Sequence, residues 1–157
     1  MIKITNRLVS EVSKKAKKSE RKRSNHNFHR DYNDGIQRFL NAAEKGSYLR
    51  PHRHSLPDKW EAFILIQGRA LVLEFDNKGK ISDHVILDAR RGSKGVEIPP
   101  QTWHSFIPLQ NGTVLYEIAR GPYSIHEKIF ALWAPAEGTR EAGEFNRGIL
   151  RALKIRS

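Results

Sequence analysis

Residues 46–68 read GSYLRPHRHSLPDKWEAFILIQG, and the pattern inside this stretch decides the fold class. His52 and His54 are one residue apart. On a strand, that spacing places both side chains on one face, roughly 6.5–7 Å apart along the chain. Both imidazoles then reach one ion at about 2.0–2.2 Å. Glu61 opens a β-rich run after a proline-containing turn, so an antiparallel return brings its carboxylate over the same face. Gly68 closes that run at the hairpin turn Gln67-Gly68-Arg69. A third histidine, His104, enters a later strand after Ile98-Pro99-Pro100. Three imidazoles and one carboxylate placed in this way predict a site for a single divalent metal ion on His52, His54, Glu61 and His104. The chain has no cysteine, so the ligands are nitrogen and oxygen, a set that suits Fe, Mn, Ni or Zn.

Outward from this stretch the pattern stays strand-like. Ser47–His54, Glu61–Gln67, Arg69–Phe75, Ile81–Leu87, Val96–Ile98, Trp103–Ile107 and Thr113–Ala119 are short and rich in β-formers. Turn signals separate them: Asp76-Asn77-Lys78-Gly79, Arg91-Gly92-Ser93, Pro99-Pro100 and Asn111-Gly112. So many short strands at such spacing predict a mainly β sandwich or closed barrel, not a βαβ sheet. Before the strands, residues 5–18 predict an amphipathic helix, with Leu8, Val12 and Ala16 every fourth position and Val9 beside them. Asn33 or Asp34 predicts the cap of a second, short helix that carries Ile36, Phe39, Leu40 and Ala43 on one face and stops at Gly46. Phe130, Leu132 and Trp133 are expected to dock back on the barrel, and Ile149, Leu150 and Leu153 to form a short terminal helix.

At 157 residues the chain has room for one domain with a real core. The expected division is a basic helix and linker over 1–23, a barrel over 24–135 and a tail over 136–157 that is basic from 147. The net charge of +11 sits at the ends: residues 1–23 carry +7 and residues 147–157 carry +4, so the stretch between them is neutral. That distribution argues against a nucleic-acid-binding surface on the barrel. The longest apolar run, Ala62 to Ile66, is far too short to span a membrane, and the first 25 residues hold no signal-peptide core. A cytoplasmic protein is the expectation. Edge strands of a small barrel also offer a route to a homodimer.

Gly46, His52-x-His54, Glu61 and Gly68 resemble the first cupin motif, with six residues between His54 and Glu61 where three or four are usual. Pro99 and His104 resemble the second motif, in which Gln101 replaces the usual glycine and Pro108 the usual asparagine. A closer resemblance runs from about residue 2 to 138. Arg21 to His29, Gln37-Arg38, Arg50 to His54, Gly95 to Pro99 and Gly121-Pro122-Tyr123 are similar to the WbuC family of cupin-fold metalloproteins. That resemblance implies a single cupin jelly-roll barrel (a double-stranded β-helix) and a setting in bacterial O-antigen or capsule polysaccharide clusters.

Strand parity extends the site beyond its ligands. Tyr48 and Arg50 share the parity of His52 and His54, which predicts a guanidinium beside the metal for an anionic substrate group and a phenol that moves protons. Phe63 and Phe106 share parity with Glu61 and His104 and are expected to wall the pocket. Asn25, Asn27 and His29 alternate and, if extended, line one face over the mouth. His26, His84 and His126 are expected on the surface. The expected ligand is a small molecule, a sugar or nucleotide-sugar. Three kinds of action fit: isomerisation or epimerisation with Glu61 or Tyr48 moving protons, dioxygen activation at iron or nickel, or a sensor that binds without turnover. Metal-free epimerases of this fold use a His/Asp pair, which is not found here.

Overall fold

Thr5 caps the first helix, its Oγ1 accepting the Leu8 N–H at 3.3 Å. In the computed structural model, which describes residues 1–156, this helix is α1 (Asn6–Lys18). Ten strands follow: β1 (Arg23–Asn27), β2 (Ile36–Ala43), β3 (His52–His54), β4 (Glu61–Gln67), β5 (Arg69–Phe75), β6 (Ile81–Asp88), β7 (Gly95–Ile98), β8 (Trp103–Pro108), β9 (Thr113–Arg120) and β10 (Lys128–Phe130). A second helix, α2 (Arg140–Ala152), comes last. Two antiparallel five-stranded sheets result, one in the order β1-β2-β9-β4-β7 and the other β10-β3-β8-β5-β6.

The alternation of side chains along each strand builds three apolar layers from these sheets. Between them lie Phe63, Leu65 and Leu115 from the first sheet and Ala70, Val72 and Phe106 from the second. Outside the first sheet, Val9, Val12 and Ala16 of α1 pack on Leu40, Ala42 and Val114. Outside the second, α2 sets Phe145, Ile149 and Leu150 against Leu71, Leu73 and Ile107. The basic ends of the chain thus lie largely in helices whose inner faces are core.

Four sequence expectations change here. The short helix expected over 34–43 is strand β2, paired with both β1 and β9. Leu40 and Ala42 face α1 while Gln37, Phe39 and Asn41 line the interior cavity, so apolar residues fall on both faces and mimic a helical spacing. The strand expected from Ser47 shrinks to His52–His54, because Pro51 has no N–H to give a ladder. The terminal helix is longer than the spacing of Ile149, Leu150 and Leu153 suggests, reaching back to Arg140, where Thr139 caps it. Gly68 is not a hairpin turn. β4 and β5 belong to different sheets, and Gly68 is the corner at which the chain crosses from one to the other.

Gly68 has φ +85°, and a Cβ there would lie 2.8 Å from the Cα of Thr113. Thr113 is fully buried and ties the same corner together, its hydroxyl lying 2.7 Å from the Gln110 carbonyl and 2.9 Å from that of Arg69. Gly92 offers an internal comparison, with φ +74° and no neighbour within 4 Å. Gly92→Ala should cost about 1 kcal/mol, the left-handed backbone alone. Gly68→Ala should cost clearly more in urea unfolding, because backbone must also move. Equal losses would show that the Thr113 contact is not limiting.

Candidate metal centre

His52 and His104 are direct cross-strand partners on β3 and β8, with ring centroids 4.4 Å apart. His54 lies two residues further along β3, on the same face. All three imidazoles therefore come from one sheet. Glu61 comes from the other, at the first residue of β4, and reaches them across the interior rather than along a hairpin. Its Oε1 is 2.9 Å from His54 Nε2 and its Oε2 is 2.9 Å from His104 Nε2. All four side chains are buried, Glu61 at 5% exposure.

Backbone carbonyls set the imidazole orientations. His52 Nδ1 is 3.0 Å from the Arg50 carbonyl and His104 Nδ1 is 2.9 Å from that of Thr102. A carbonyl only accepts, so each Nδ1 carries a hydrogen, which leaves Nε2 as the ligating atom. His54 Nε2, His104 Nε2 and Glu61 Oε2 are buried without an aligned hydrogen-bond partner. The ligand atoms of all four residues lie within 4.8 Å of one another. Two ligands of one ion bound at about 2.1 Å sit about 3 Å apart, which is the spacing of Glu61 from the Nε2 atoms of His54 and His104. A single cation at the convergence point would satisfy each of these atoms, so the residues fit a divalent metal.

Burial opposes the charge on Glu61, yet His104 and His54 outweigh it and hold its carboxyl well below the usual range. Burial, then the charges of Lys128 and His104, keeps His52 neutral far below the ordinary imidazole value. A neutral imidazole is the form that ligates.

A cavity of about 430 Å³ opens over the cluster. Asn25 and Asn27 of β1, His29 and Phe63 line it. His29 Nδ1 lies 3.1 Å from both the N and the carbonyl O of Arg38, and its Nε2 is a buried atom with no partner. Phe106 does not line the cavity; it packs on Phe63 in the core, centroids 5.9 Å apart. Tyr48 and Arg50 also point elsewhere, since the chain leaves the ladder at Pro51 and strand parity fails. The Tyr48 hydroxyl donates to the Pro135 carbonyl at 2.9 Å, and burial lifts it to about 12. Arg50 donates to the Ala131 carbonyl at 2.7 Å and lies over the Phe130 ring.

Several polar residues that the sequence reading passed over line the cavity: Gln37 and Asn41 of β2, Glu117 of β9, Lys59 and Lys128. Glu117 carried a signal, since it sits between Leu115 and Ala119 at the inward parity of β9. Asn41 Nδ2 donates to its Oε2 at 2.9 Å. Burial, then repulsion from Glu61, raises the Glu117 carboxyl to about 7. Gln37 and Asn41 were masked by the helical reading of β2.

A family model described as a domain of unknown function, DUF6016, matches residues 4–87, more than half of the chain. The chain belongs to the DUF6016 family. A search of curated proteins finds no match. Among solved structures, the capsular polysaccharide assembling protein CapF from Staphylococcus aureus is similar at 18% identity and TM-score 0.56, over 69% of this chain and 29% of CapF. Protein SO0799 from Shewanella oneidensis is similar at 9% identity and TM-score 0.55, over 69% of this chain and 73% of that one. KdgF from Halomonas sp. aligns at 13% identity and TM-score 0.51, over 65% and 82%. The DUF6016 chain thus spans about a third of the length of CapF. At these identities the likeness establishes a cupin fold and says nothing about chemistry. No described helix is long and apolar enough to cross a membrane.

Two measurements follow from this geometry. Elemental analysis of untagged protein should give one divalent ion per chain, and His104→Ala should lose it; metal retained at full stoichiometry in that variant would sink the site. In chelator, Glu117 titrates near 4.5 unfolded and about 7 folded, so the folded chain binds more protons in between and stability falls as pH rises through this window. Glu117→Gln should flatten that decline in thermal melts from pH 5 to 8, by no more than about 3 kcal/mol.

Proposed function

We propose that this DUF6016 protein is a metal-dependent sugar isomerase or epimerase of the WbuC-like jelly-roll type, acting on a sugar or nucleotide-sugar in surface polysaccharide synthesis. One observation carries the reading: two carboxyl groups face one polar cavity, and their environments push them apart. Glu61 stays ionised among imidazoles, while Glu117 titrates near neutral pH. Groups separated in this way divide the roles of ligand and proton carrier.

A divalent ion held by His52, His54, Glu61 and His104 supplies Lewis acidity toward a substrate carbonyl or hydroxyl oxygen. The chain's own groups do the rest. Asn41 engages Oε2 of Glu117, which leaves Oε1 to take a proton from the carbon next to the carbonyl. Returning that proton to the neighbouring carbon, while the hydroxyl proton passes from one oxygen to the other, completes an isomerisation, with no oxidant or reductant. Epimerisation needs a second proton-carrying group on the opposite face, and the unpartnered Nε2 of His29 is the candidate. Asn25, Asn27 and Gln37 supply amide donors and acceptors of the kind that recognise sugar hydroxyls. The fold-level likeness to CapF, a capsular polysaccharide assembling protein, is in keeping with such a substrate.

The test is solvent exchange. Metal-loaded protein in D₂O should place deuterium at a carbon adjacent to the carbonyl of one member of a panel of aldoses, ketoses and nucleotide-sugars. Glu117→Gln should slow that exchange by about 100-fold or more while metal content stays unchanged. Saturable binding with no exchange and no conversion would overturn the enzyme in favour of a sugar sensor.

A further inference from the structure

Six residues, Ser55 to Trp60, join the second histidine ligand to Glu61, and one of them enters the cavity. Lys59 is 3% exposed and lines the same space as the metal ligands. Its ammonium donates to Glu127 Oε1, an oxygen that also accepts the Ser124 N–H at 3.3 Å. The Tyr123 ring lies 5.8 Å from the ammonium. A lysine has three N–H donors. Only one is used here among the described residues, and the other two are buried at the cavity wall.

A second cation lines the same cavity, next in sequence to the carboxylate that Lys59 meets. Lys128 is the residue after Glu127 and pairs in register with His54 across β10 and β3. It lines the cavity, and no carboxylate among the described residues lies within ion-pair distance of it. It shares that cavity with His52, His54, Glu61 and Glu117. Glu127 neutralises Lys59, and Lys128 is left as a cation of this wall with no carboxylate paired to it among the described residues. Burying unsatisfied ammonium donors is costly unless an anion meets them.

We propose that Lys59 and Lys128 form a subsite for an anionic oxygen group of the substrate, a carboxylate or a phosphate, next to the metal ligands. The inference rests on the cavity being the substrate site and narrows the substrate to an acidic sugar or a nucleotide-sugar. Neutral sugars lack the group that the two ammoniums meet.

Calorimetric titration of the full metal-loaded chain tests this with D-glucuronate, uridine diphosphate and D-glucose as probes. At least one anion should bind ten times or more tighter than glucose. Glucuronate alone would identify a carboxylate and uridine diphosphate alone a phosphate. Lys128→Met, which leaves the Lys59–Glu127 pair intact, should weaken the anion at least tenfold, and Lys128→Arg should restore it. The double variant Lys59→Met/Glu127→Gln, which strands no buried charge, should weaken it similarly, with thermal melts confirming the fold. Glucose binding as tightly as the anions, no anion binding at all, or an unaltered Kd in Lys128→Met overturns the subsite. Metal content is measured on the same samples. No anion binding by the unmutated chain with metal present sinks the subsite alone, whereas anion binding without any metal sinks the metal reading alone.

Discussion

The interior of this protein is organised by one buried carboxylate. Glu61 leaves the first sheet and ends between imidazoles of the second, nearly free of water. A charge in such a place persists only with partners on more than one side. The three imidazoles converge on it, and carbonyls behind His52 and His104 fix their rings. The two sheets are therefore joined at one end by polar ligands and below it by Phe63, Phe106, Leu115 and Ile98. Strand alternation allows both, because a single strand can give a ligand and then a core residue on the same face, as β4 does with Glu61 and Phe63.

The ligand set was legible in the sequence because it uses the simplest periodicity there is. His52 and His54 are separated by one residue, and Glu61 and His104 begin β-rich runs that turn signals set apart. Strands β4 to β9 were legible for the same reason. What the sequence concealed lies where two faces are buried at once. Leu40 and Ala42 are covered by α1, while Gln37 and Asn41 face the cavity, so β2 shows no polar side and its apolar residues fall at helical intervals. Tyr48 and Arg50 were misplaced because parity holds only within a ladder, and Pro51 ends that ladder. Gly68 read as a hairpin because pairing partners, unlike local turns, are not written in neighbouring residues.

The cavity above the ligands is polar on almost every wall, yet its groups differ in kind. Amides come from β1 and β2, a carboxyl near neutrality from β9, and ammoniums from the loop after β3 and from β10. Gln101 shows how a departure from a motif is absorbed: it stands where cupins carry glycine and takes φ +58° itself, an exposed turn that keeps His104 in register. The supporting geometry of the second motif survives the change of residue.

The strand order has a consequence for the growing chain. β9 lies between β2 and β4, and β8 and β10 flank β3, so each early strand waits for partners encoded far downstream. Until residue 113 and beyond have left the ribosome, the hairpin of β1 and β2 has an open edge and β4 lacks its β9 neighbour. Unpaired apolar edges are the points at which nascent chains associate wrongly. A site built from strands that meet last leaves those edges open through most of synthesis.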